Sequence, residues 1–187
     1  MAKRGRFEDA LSLAQRSKVL LQETGKVGRN GFNHSLFSLL YVEMGMLSEA
    51  VAEVIALLEN RAAMGQQYVL GMDHLIIALV LLDPTYAQQD EQTARLLKQF
   101  AEKKSVELSA EVNLELAVER ANASHQFETA IRAHCELSKY WLDRSDGSNV
   151  RHHLAMAKST AEARNLRTSA AEIRRTCAKL GIDYKQL

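Results

Sequence analysis

The chain has 187 residues, the size of one ordinary domain. Apolar residues at 47% and charged residues at 25% can build a core, while one proline and 6% aromatics argue against a β-sandwich or barrel, which needs turn residues throughout. A net charge of +1 hides basic ends around an acidic middle: residues 1–30 carry seven Lys/Arg against three acids, 31–142 eight against fifteen and 143–187 nine against five, which excludes a uniformly basic field of the kind that coats nucleic acid.

The first helix is expected over 7–24, with Phe7, Leu11, Ala14 and Leu21 on one stripe, ending at the glycines of 25–31. Asn33 can cap a second helix that Gly45 stops, and a third runs from Leu47 to Met64 before Gly65. Asp73 then caps Leu75–Leu82, an unbroken apolar run of eight residues. A helix with no polar face has to be surrounded by protein, so this one marks the centre of the core. It is far too short to span a bilayer, which takes roughly 20 residues, and no membrane contact or secretory leader is expected. Asp83-Pro84 ends it, and a fifth helix follows over about 87–104.

Residues 110–143 hold neither Gly nor Pro, and a break is expected near Asn122–Ser124, with Ser124 capping the second part. Ser145-Asp146-Gly147-Ser148 is a turn, Asn149–Asn165 an Ala-rich helix, and Ser169-Ala-Ala-Glu172 a capping box opening a last helix that stops at Gly181. The expected fold is one all-α domain over 1–187, with eight or nine helices stacked as antiparallel hairpins, no β-sheet, and a disordered basic start at 1–6. Whether the hairpins form a short α-solenoid or an irregular bundle is left open, as is a homo-oligomer.

One internal repeat stands out. Gly25…Gly31-Phe32-Asn33-His34 recurs as Gly65…Gly71-Met72-Asp73-His74, 40 residues on, and Asn113 lies another 40 beyond as the cap of a third copy. A period near 40 made of helix pairs is what α-solenoids show. The stretch Gly65-Gln-Gln-Tyr-Val…Asp73-His74-Leu-Ile-Ile-Ala-Leu, with Thr93-Ala-Arg-Leu-Leu after it, resembles one repeat of the Clp chaperone N-terminal domain, with a Gly-to-His spacing one residue longer than usual. That resemblance implies an all-α module that binds adaptors and substrate peptides. The chain also resembles tetratricopeptide repeats, without their regular proline and their small–large pattern.

Chemistry-bearing motifs are sparse: there is no HExxH, CxxC, GxSxG or Walker loop. Glu49 and Glu53 share a helix face, and with Glu43 and Asp73 they form the one carboxylate set able to hold Mg²⁺ for nucleotide pyrophosphate hydrolysis. It resembles the site of MazG-like all-α pyrophosphatases, which carry Glu-Glu-x-x-Glu and then Glu-x-x-Asp; here Leu70 stands three before Asp73 and the first cluster is spaced differently. The six histidines are expected to lie apart, as core or surface residues, and Cys135 and Cys177 to be buried thiols suited to a reducing compartment. Lys26 and Arg29 in a glycine-rich loop, and Arg164, Arg167, Arg174, Arg175 and Lys179 near the C-terminus, are the candidate phosphate contacts. The functional expectation is a cytoplasmic adaptor or scaffold acting by protein–protein contact, with no cofactor. The alternatives are a nucleic-acid-associated subunit using the basic ends and the metal-dependent hydrolase.

Overall fold

The structure, a computed structural model, describes residues 2–23, 30–63, 70–84, 91–105 and 107–187, leaving aside the side chains of 2–6, 18, 21, 22, 30–33, 60, 61, 63 and 104. Among the described residues the fold is all-α: α1 (Ala2–Glu23), α2 (Asn30–Glu43), α3 (Leu47–Ala63), α4 (Gly71–Leu82), α5 (Glu91–Lys104), α6 (Ala110–Ala123), α7 (Phe127–Leu142), α8 (Gly147–Ala163) and α9 (Arg167–Lys179), followed by a 3-10 turn at Tyr184–Gln186. No strand occurs among them. The helix α1 begins at Ala2, inside the segment 1–6 expected to be disordered.

The contacts divide the chain into two compact units, residues 1–69 with 76–110 and residues 70–75 with 111–187, so the boundary falls inside α4. In the first unit, Ala14 of α1 packs on Phe37 and Leu40 of α2, with Phe7, Leu11 and Tyr41 around them. The α5 helix shows why its sequence is helical. Thr93, Leu97 and Phe100 recur at i, i+4 and i+7 and are buried, while Arg95, Lys98, Gln99 and Glu102 face outward. Lys103 of α5 reaches Glu59 of α3 at 2.9 Å, an exposed pair of small energetic weight. The apolar run in α4 is buried over most of its length: Leu75, Ile76, Ile77, Ala78 and Val80 are sealed from solvent, while Leu79, Leu81 and Leu82 are half-buried.

In the second unit, Ile131 and Cys135 of α7, Val150, Leu154, Ala157 and Ala161 of α8, and Ile173 and Cys177 of α9 form one core. Ile182, Tyr184 and Leu187 fold back onto it. At the other side of this unit the first residue of α4 packs backbone to backbone on α6. A Cβ built on Gly71 would lie 2.7 Å from both Ala117 O and Ala121 N, so only glycine fits there.

The expected break between α6 and α7 is present, by a different device. Ser124 caps nothing; its Oγ donates back to Arg120 O at 2.7 Å, and the chain reverses because His125 adopts φ +58°. The N-cap position of α7 is Gln126, whose side chain makes no cap bond. Two other expected caps are also displaced. Asn33 and Ser169 lie inside α2 and α9, and Ser169 is buried, because packing of the whole helix outweighs a local capping preference. Asp73 sits in the first turn of α4 and accepts the Leu70 N–H at 2.9 Å. Asn113 is no cap either: it is buried within α6 and meets the His74 ring.

Candidate functional site

One turn geometry repeats along the chain. Left-handed residues stand at Ser105, His125, Ser145 and Asn165, each 20 residues after the last, and Gly45 lies 60 before the first of these. Around Gly45, Gly45 N–H donates to Val42 O (3.0 Å) and Met46 N–H to Tyr41 O (2.9 Å). The same two bonds recur at His125 and Gln126, Ser145 and Asp146, and Asn165 and Leu166, the second of each pair at 2.7, 3.0 and 2.9 Å. This double closure is a Schellman turn, which satisfies the last carbonyls of one helix and aims the chain back along it. The turns at 125, 145 and 165 thus mark helix-plus-turn steps of 20 residues in the second unit. Gly25 and Gly65, which frame the expected 40-residue repeat, lie outside the described residues.

A fixed step brings polar side chains to the same register in different hairpins. In the first unit, His34 Nδ1 on α2 bonds the Glu53 carboxylate on α3. In the second, His134 Nδ1 on α7 lies 3.2 Å from His153 Nδ1 on α8, with ring centroids 5.4 Å apart. Each pair spans 19 residues, and the two are offset by 100 at both members. Ser38 and Ser138 copy each other too, donating to the carbonyls of His34 and His134 at 2.9 and 2.8 Å. The expectation that the histidines lie apart is thus corrected for His134 and His153. Positions on one helix say nothing about a neighbour folded back through a turn, and only the 19-residue spacing carried the signal.

Burial sets the chemistry of these groups. Removal from water pushes the His134 pKa down to about 4, with His153 and then His152 adding to the effect. Burial lowers His153 as well. His74, buried beside Asn113, is lowered chiefly by desolvation; its Nδ1 stands 3.0 Å from Asn113 Oδ1, within hydrogen-bond distance. Cys135 is pushed up to about 12 by burial, so it is a core thiol and not a nucleophile.

The carboxylates proposed for a metal are differently engaged. Glu53 bonds His34, Asp73 accepts from Leu70, and Glu49 accepts from Ser48 at 3.1 Å. No group of three or more His, Cys, Asp or Glu placed to hold a metal occurs among the described residues. Lys26 and Arg29 lie outside the described residues. The other basic candidates are resolved in the second unit. Arg167, Arg174, Arg175 and Lys179 are all exposed on the outer side of α9, opposite the buried Ile173 and Cys177. Arg164 follows α8 and lies 4.2 Å over the Phe127 ring, while Arg174 faces the Tyr184 ring at 5.1 Å. Alongside them, α8 exposes Arg151, His152, Met156 and Ser159. Among the described residues no helix is long and apolar enough to cross a membrane. No protein family, curated protein or solved structure matches the chain.

Proposed function

We propose that the chain is a helical-repeat adaptor or scaffold that acts by protein–protein contact in the cytoplasm. The observation that carries this reading is the left-handed residue that recurs every 20 positions from 105 to 165, closing the same turn at 125, 145 and 165. Stacked hairpins of constant step present successive helix faces in register, and such rows of side chains suit an extended peptide or a partner helix. The exposed face of α8 is the proposed contact, since Met156 is 44% exposed there between Arg151, His152 and Ser159. Buried, unlinked Cys135 and Cys177 accord with a reducing compartment.

A second reading has its own support: the outer face of α9 carries four exposed cations and no exposed acid, as a nucleic-acid contact requires. A pull-down from native lysate at about 50 and about 300 mM salt, with bound protein and nucleic acid both identified, separates the two. The adaptor reading expects a protein retained at both salts, whose purified form binds wild type but not the Arg151→Glu/Met156→Glu double variant. Nucleic acid alone, released at the higher salt and lost in Arg174→Glu/Arg175→Glu, would transfer the function to α9.

A further inference from the structure

The His134–His153 pair has a geometry that a hydrogen bond alone does not demand. The two Nδ1 atoms are 3.2 Å apart, at the long end for a hydrogen bond. Two imidazole nitrogens that share a tetrahedral zinc ion, each at about 2.0–2.1 Å, stand roughly 3.3–3.4 Å apart. The rings come from separate helices, are inclined by 33°, and are held by the packed core of α7 and α8. Their framework is rigid at both ends: Ser138 ties the carbonyl of His134, and a Schellman turn closes the loop that joins the two helices.

We propose that His134 and His153 form a two-imidazole chelate for a divalent transition-metal ion of the zinc, nickel and copper class. Imidazole nitrogen is the ligand these ions prefer over the oxygen donors that suit Mg²⁺ or Ca²⁺. Each ring binds in its neutral form through the Nδ1 lone pair. The ring that holds its proton on Nδ1 passes to the Nε2–H tautomer, so neither ring changes charge on binding. No third His, Cys, Asp or Glu completes the set among the described residues, so water fills the remaining positions. His153 is half-buried and gives the ion its route in, whereas His134 is 6% exposed and forms the floor. Two protein ligands make this a reversible site, unlike the four-ligand sites that hold zinc structurally.

The test uses the whole chain, stripped with chelator and titrated with Zn²⁺ and with Cu²⁺ by calorimetry, with the thermal midpoint followed in parallel. One ion should bind per chain and raise the midpoint, and the Cu²⁺ form should show two nitrogen ligands by electron paramagnetic resonance. His153→Gln and His134→Gln should each weaken binding at least about tenfold, a loss of about 1.4 kcal/mol or more. His152→Ala, which removes the exposed neighbouring ring, should leave it unchanged. If His134→Gln fails to fold, His153→Gln carries the comparison, since that ring is less buried. Absence of binding to the wild-type chain would overturn the proposal. So would loss of binding in His152→Ala with retention in His153→Gln, which would assign the ion to a surface histidine.

Discussion

The α2–α3 hairpin and the α7–α8 hairpin are separated by 100 residues and solve one problem with different chemistry. Both turn on the same two backbone bonds, around Gly45 in one and Ser145 in the other. Both place a histidine in the first helix and a polar partner 19 residues on. In the first the partner is Glu53, so imidazole meets carboxylate; in the second it is His153, and two neutral rings meet. The turn geometry decides where a buried polar pair falls, and the residue type decides what that pair can do. A glycine serves the left-handed turn position freely, whereas Ser145 occupies it against an intrinsic cost of about 1–2 kcal/mol.

The comparison can be broken most forcefully in the cores of the two hairpins. Val54 and Leu154 occupy corresponding buried positions beside the two polar pairs. Leu154→Ala should cost about 2–5 kcal/mol in denaturant unfolding, more than Val54→Ala, because it leaves the larger cavity. A smaller loss for Leu154→Ala would mean that the α7–α8 core collapses around the gap.

Acid should distinguish the hairpins next. An unfolded histidine titrates near 6.5, while His134 in the fold takes a proton only near 4. Between those values the unfolded chain binds a proton that the folded chain refuses, so stability falls as the pH drops from about 6.5 towards 4. The loss from this group approaches about 3 kcal/mol at the acid end and vanishes above the unfolded value. His153 and His74, also lowered, act with the same sign. Equilibrium unfolding measured from pH 7.5 to 4.5 should show this slope, and His134→Gln should flatten it; an unchanged slope would remove His134 as its source.

The smallest difference lies at the helix starts. Asp146 accepts the Asn149 N–H at 3.0 Å and caps α8, whereas the corresponding Met46 before α3 has no such acceptor. Asp146→Ala should cost about 1 kcal/mol by the same unfolding measurement. A cost near zero would show that the turn alone starts α8.

Much of this architecture was legible in the chain. Periodicity in α5, the apolar run of α4, and Gly45 and Gly181 as helix stops are strong local signals, and the structure agrees with each. Caps were less legible. Ser124, Asn33 and Ser169 have the right chemistry for an N-cap, but the helices extend past Asn33 and Ser169, and at Ser124 the left-handed His125 makes the turn. The 20-residue step from 105 to 165 was not legible, because it rests on Ser, His and Asn in left-handed turns, residues that mark no boundary by themselves. The His134–His153 pair was hidden for the same reason, because it exists only once two helices fold back on each other.

The constant step has a consequence for how such a chain can change length. In the second unit α9 touches both α8 and α7, so the chain there folds back on itself with every helix. Adding or deleting one helix and its turn there would reverse the direction of every later helix of the unit and turn its apolar face away from its present neighbours. Adding or deleting a whole pair would keep each face against its own neighbours. Within this unit, growth by duplication is therefore open in pairs of helices and closed to single ones, a parity rule written into its turns.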